Sequence, residues 1–128
     1  MKKHFSLACL YLLLSILNTS ASVEVRSTHM TTTDGLANNS VCYVFQDSKG
    51  FIWMGTLNGL SRYDGNTFVT LLPEGDTQPG RLSLSSNHVR SISEDRNGFL
   101  WLETSGEFFN CYDLKAERFV DFTGRGEY

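Results

Sequence analysis

Asp47-Ser48-Lys49-Gly50-Phe51-Ile52-Trp53-Met54-Gly55-Thr56 returns 48 residues later as Asp95-Arg96-Asn97-Gly98-Phe99-Leu100-Trp101-Leu102-Glu103-Thr104. The Asp, Gly, Phe, Trp and Thr positions are identical in the two stretches. The match extends upstream, where Leu36, Asn39 and Val41 meet Leu84, Asn87 and Val89, and Val44 meets Ile92. With one inserted residue, Tyr63-Asp64 meets Tyr112-Asp113, and a further small shift pairs Phe68 with Phe119. Two tryptophans and two Asp-x-x-Gly turns in register are the mark of an internal repeat.

Each unit reads as four short strands. The first runs over 40–46 or 88–94, and the Asp-x-x-Gly turn follows. Aspartate at the start of such a turn accepts backbone N–H bonds, and the closing glycine supplies the positive φ of a tight hairpin. The second strand covers 51–56 or 99–104, with Trp53 or Trp101 expected to point into the junction with the neighbouring unit. Leu57-Asn58-Gly59 forms a turn, and the third strand covers 60–64 or 108–113. A fourth, outer strand passes through 68–72 and 119–122. Four strands per unit of this length is the size of a β-propeller blade. The expected fold is therefore all-β: two four-stranded blades of an incomplete propeller, over 36–72 and 84–122. Residues 73–83, with Pro79 and Gly80, are the expected loop between them, and 123–128 a tail. Asp47, Gly50, Trp53, Tyr63, Asp95, Gly98, Trp101 and Tyr112 are the structural repeat positions. The tryptophans are expected in the core rather than as ligand platforms.

Composition agrees. Eleven glycines, two prolines and 12% aromatic residues suit a turn-rich β protein. The 41% apolar and 20% charged fractions are those of a folded chain, and the net charge of −3 is small.

The chain begins with a leader. Lys2 and Lys3 precede an uncharged run, Phe5 to Leu17, and small residues follow it through Ser22. This is the pattern of a secretory signal peptide, cleaved after Ala21 or after Ser22. As a helix the run rises about 20 Å, short of the roughly 30 Å hydrocarbon core, so a permanent span is the weaker reading. Lipidation at Cys9 is weaker still: it sits early in the run, and Ser6 stands where lipid signals carry leucine. Losing Lys2 and Lys3 leaves nine basic residues against fourteen acidic ones. With no basic cluster, direct nucleic-acid contact is not expected.

No catalytic, cofactor or metal site emerges. One aspartate per turn is too few oxygens for calcium, which takes six to eight. Cys42 and Cys111 survive cleavage. They are expected as buried thiols on separate strands, with a disulfide between them as the alternative in an exported chain. His29 and His88 read as isolated, with no histidine near either cysteine. Glu103 in place of Gly55, and Asn110-Cys111 in place of Ser61-Arg62, make the second unit look atypical.

The run Asp34-Gly35-Leu36-Ala37-Asn38-Asn39-Ser40-Val41, followed by Phe45 to Thr56 and Asn58-Gly59-Leu60-Ser61-Arg62-Tyr63-Asp64-Gly65, resembles the two-component regulator propeller repeat. It is similar to the first blade of the periplasmic sensor in hybrid two-component system proteins. The resemblance covers about 28–122, tighter in the first unit. It implies two seven-bladed propellers and an immunoglobulin-like domain outside the inner membrane, then a transmembrane helix and a histidine kinase core. A response regulator with a DNA-binding helix-turn-helix often follows. It also implies signalling as a dimer and, in many members, sensing of glycan fragments to control genes for polysaccharide use. Ligand residues vary in the family, so none carries over.

Four to eight blades of this size need roughly 190 to 385 residues. The chain is therefore expected to be the front of a longer sensor, and 22–35 to be a linker or a strand completing a distant last blade. Its partners would be the rest of its propeller, a dimer partner and an oligosaccharide. The alternatives are an exported propeller scaffold without a kinase, or part of a propeller enzyme acting on glycans. Two units with uncovered faces are expected to fold marginally and to aggregate.

Overall fold

A computed structural model of the chain describes residues 23–73, 83–106 and 108–122. The expected signal peptide, most of the expected 73–83 loop and the 123–128 tail lie outside the described residues. Eight strands are present: β1 (Val41–Gln46), β2 (Ile52–Thr56), β3 (Gly59–Tyr63), β4 (Phe68–Leu71), β5 (Val89–Glu94), β6 (Phe99–Thr104), β7 (Phe108–Asp113) and β8 (Arg118–Val120). They form two antiparallel four-stranded sheets, β1-β2-β3-β4 and β5-β6-β7-β8, each in sequence order. The all-β, two-blade architecture is thus the one the repeat predicts. No described helix is long and apolar enough to cross a membrane.

The two sheets share a register. Phe45 faces Trp53 and Val41 faces Thr56, as Ser93 faces Trp101 and Val89 faces Thr104. Each first strand carries a bulge at the same place, between Val41 and Tyr43 and between Val89 and Ser91. The second unit is therefore not atypical in backbone, although Glu103 and Asn110 depart from the first. Strand ends match expectation or differ from it by one or two residues. The largest shift is in the last strand, which stops at Val120 rather than Phe122.

The apolar core lies between the blades rather than inside either one. Trp53 and Leu60 of the first blade bury against Leu84, Val89, Ile92, Leu100, Leu102, Tyr112, Leu114 and Phe119. A single four-stranded sheet has two faces and covers neither, so the buried face forms only where one blade meets the next. At this seam β5 lies against both β1 and β2. The other faces stay wet: Val44 is 60% exposed and Phe109 54%.

Residues 23–31 form no strand in this structure. A 3-10 turn over Thr32–Asp34 follows, closed by a capping box between Thr31 and Asp34 and by Gly35 at φ 106°.

Candidate functional site

The repeat residues assemble a turn lock in each blade. Asp47 Oδ1 accepts the Lys49 and Phe51 N–H groups at 2.9 and 3.0 Å, and Oδ2 accepts the Trp53 indole N–H at 2.7 Å. Asp95 Oδ1 accepts from Asn97 and Phe99 at 2.9 and 3.0 Å, and Oδ2 from Trp101 at 3.1 Å. Gly50 and Gly98 sit at φ 91° and 81°, which closes the hairpin. Burial would raise the Asp95 carboxyl. The Phe99 N–H, the Trp101 indole and the Asn97 and Gly98 N–H groups outweigh it and hold the carboxyl below its usual range. Both carboxylate oxygens of each turn are thus committed to the protein.

Trp53 is fully buried and meets Tyr112 of the second blade edge-to-face, with ring centroids 5.2 Å apart. Tyr112 in turn packs edge-to-face on Phe119 at 5.2 Å. Burial pushes its phenol up, with the Arg62 charge opposing. Trp101 occupies the equivalent place in the second blade, but it is only half-buried and touches Phe122 at 5.4 Å. Tyr63 stays local, stacking on Phe68 and donating to the Gly65 carbonyl at 2.8 Å.

Several seam residues lie outside the eight repeat positions. Arg62 lies over the rings of Phe51, at 4.7 Å, and Trp53, at 5.8 Å, and pairs with Glu117 at 3.2 Å. Glu117 reaches it from a left-handed turn at φ 51°. Ser48 donates through its N–H and hydroxyl to the Glu94 carboxylate at 2.8 and 2.5 Å. The Lys49 ammonium donates to the Leu114 carbonyl. The departures at 61 and 110 share a task. Ser61 Oγ accepts the Ala37 N–H at 2.8 Å, and Asn110 Oδ1 accepts the Ser85 N–H, one repeat further on, at 3.0 Å. A signal for this existed: both are polar at an inward strand position, where a buried polar group must have a partner.

The cysteine expectations need correction. Cys111 is buried but Cys42 is exposed, and no disulfide joins them. His88 is not isolated: its Nε2 lies 3.6 Å from Cys42 Sγ, and its Nδ1 lies 2.9 Å from Ser105 Oγ. Cys42 is the residue left unpaired at the β1 bulge. Blade stacking brings the segment entering β5 alongside it, so residues 46 apart in the chain become neighbours.

At the other end of the seam an open cleft of about 690 Å³ lies between the two Asp-x-x-Gly turns. It is lined by Phe45, Ser48, Glu94, Arg96 and Asn97, among others.

The family pattern for two-component regulator propellers matches residues 35–58 and 83–106, the front of each blade. A histidine kinase of Formosa agariphila is 49% identical over 35 residues, which is 27% of this chain and 3% of that protein. The extracellular domain of a hybrid two-component system from B. thetaiotaomicron superposes with a TM-score of 0.65 and 26% identity, over 73% of this chain and 13% of that one. The extracellular domain of a one-component system from the same organism gives 0.58 and 30%, over 78% and 14%. The chain therefore spans a small part of each of these relatives. Its two sheets, with their shared register and turn locks, are similar to blades of the two-component regulator propeller repeat, whose pattern matches the front of each.

Proposed function

We propose that the chain is part of an exported ligand-sensing propeller on the periplasmic side of the inner membrane, whose occupancy feeds a phosphorelay controlling transcription. The observation that carries this reading is the extent of the likeness to extracellular regulator domains. At 73% of the chain it takes in more than either blade alone. The leader pattern supports export, and the committed turn carboxylates support a binding role over a catalytic one. The ligand is an oligosaccharide released from a larger polysaccharide, as the family resemblance implies, and the protein signals as a dimer.

The test is genetic and biochemical. Deleting the gene that carries this chain should abolish induction of polysaccharide-use transcripts on one glycan and spare the others. The purified extracellular region should bind fragments of that glycan and leave them uncleaved. Unchanged induction on every glycan tried would reject the sensor reading, and cleavage would favour the enzymatic alternative. The likeness to a one-component system supports a second reading, control of transcription without a phosphorelay. Phosphate transfer from ATP to a histidine of the full protein separates the two.

A further inference from the structure

The Cys42, His88 and Ser105 side chains form a chain of polar contacts across the inner edge of the seam. Cys42 is exposed, and its Sγ lies 3.6 Å from His88 Nε2, within hydrogen-bond reach for sulfur. His88 Nδ1 lies 2.9 Å from Ser105 Oγ. A nucleophile, a base in contact with it and a third group orienting the base is the arrangement that activates thiols and hydroxyls generally.

The repeat itself shows that the blade has no structural need of these side chains. The backbone bond from Ser105 N–H to the His88 carbonyl, 3.0 Å, has its counterpart 48 residues earlier, from Leu57 N–H to the Ser40 carbonyl at 3.1 Å. The first blade makes that bond with a serine and a leucine. The position matching Cys42 in the second blade is Arg90, at the same bulge. All three chemistry-bearing residues are therefore departures from the repeat, drawn from two blades and converging on one point.

We propose that Cys42 is a nucleophilic thiol, with His88 as its proton acceptor and Ser105 orienting the imidazole, and that it takes up low-molecular-weight disulfides as a mixed disulfide at the blade seam. With the imidazole proton on Nδ1, held by Ser105 Oγ, the lone pair of Nε2 receives the thiol proton. Sγ then attacks one sulfur of R–S–S–R, the R–S–S–R bond breaks, and a Cys42 Sγ–S–R bond forms. The departing thiolate takes the proton from Nε2 and leaves as R–SH. Cys42 is oxidised and half of the disulfide is reduced, so no further reactant is needed. The step does not depend on the sensor reading.

The test uses the full chain in a Cys9→Ser background with 4,4′-dithiodipyridine, following pyridinethione release and locating the adduct by mass spectrometry. Cys42 should react first, with buried Cys111 far slower. His88→Gln should slow Cys42 by about a hundred-fold or more, the low end of what a positioned base contributes. Cys111 should stay slow in that variant, which shows the seam intact. Ser105→Ala should slow Cys42 and Ser105→Thr should restore it, a rescue that loss of packing alone would not produce. A Cys42 rate unchanged by His88→Gln, or no faster than that of Cys111, overturns the proposal.

Discussion

The Trp53 indole donates to Asp47 Oδ2 at 2.7 Å, tying the turn that opens the second strand to the tryptophan that fills the seam. Asp47 is 5% exposed and Trp53 fully buried, so the bond is screened from water. One carboxylate thereby shapes the hairpin with one oxygen and satisfies the interblade tryptophan with the other.

Asp47→Ala removes three acceptor contacts and leaves the Trp53 N–H buried without its partner. The expected loss is roughly 3 kcal/mol, since a buried donor stripped of a charged acceptor bears its full desolvation cost. Asp95→Ala should cost less, because Trp101 is only half-buried. Urea titrations followed by tryptophan fluorescence check both, and an equal loss at the two sites would contradict the ranking.

Gly55→Ala should damage the seam rather than the sheet. A Cβ there would lie 2.9 Å from the Val89 carbonyl oxygen and 3.0 Å from Val89 Cγ1, so β2 and β5 would have to part. Overpacking of this kind costs about 1–3 kcal/mol. At Gly65 an added Cβ meets nothing within 4 Å, although φ is 100°. Gly65→Ala should therefore carry backbone strain alone, about 1–2 kcal/mol, and leave the environment of Trp53 unchanged. The Trp53 emission maximum separates the two effects.

Arg62→Lys should not be conservative. The guanidinium stacks on two rings and reaches Glu117, and an ammonium reproduces neither the plane nor the fork. The expected loss is about 1 kcal/mol. Glu117→Gln should cost less than Arg62→Lys, since Glu117 is half in water and such pairs contribute little. A double-mutant cycle measures the coupling, and a larger loss at Glu117 would reverse the assignment.

Acid should destabilise the chain through its turn carboxylates. The Thr67 and Asn66 N–H groups hold Asp64 below its usual range, and chiefly the Ala116 N–H does so for Asp113. Asp95 is lowered by its turn and indole donors. A carboxyl lowered in the folded state contributes stability that is present above the unfolded value, about 4, and lost as pH falls through the folded one. Tm should thus hold between pH 7 and 5 and fall below about pH 4. Asp64→Asn should flatten that fall, and an unaltered slope would remove Asp64 from the account.

The uncovered edge of β1 should drive self-association. Val41, Tyr43 and Val44 are all exposed on β1, the end strand of its sheet, which pairs with β2 alone among the described residues. Val44→Lys should lower the scattering of concentrated solutions and leave far-ultraviolet circular dichroism unchanged. A monodisperse wild-type monomer with a sharp cooperative melt would overturn the expectation.

The repeat made most of the architecture legible in advance. Asp47 and Asp95 with Gly50 and Gly98 mark the turns, and the spacing of Trp53 and Trp101 sets strand order and register, because these are local properties of each unit. The partners of those residues were not legible. Nothing in the linear pattern says that Trp53 packs on Tyr112 while its twin Trp101 stays only partly buried, that Asn110 stands in for Ser61, or that Gly55 makes room for Val89. The same holds for Cys42 and His88, which read as unrelated until the blades stack. Sequence periodicity reports which residues repeat within a sheet, since hydrogen-bond ladders and turns depend on near neighbours. Contacts between sheets depend on how two twisted surfaces dock, and only the tertiary structure decides that.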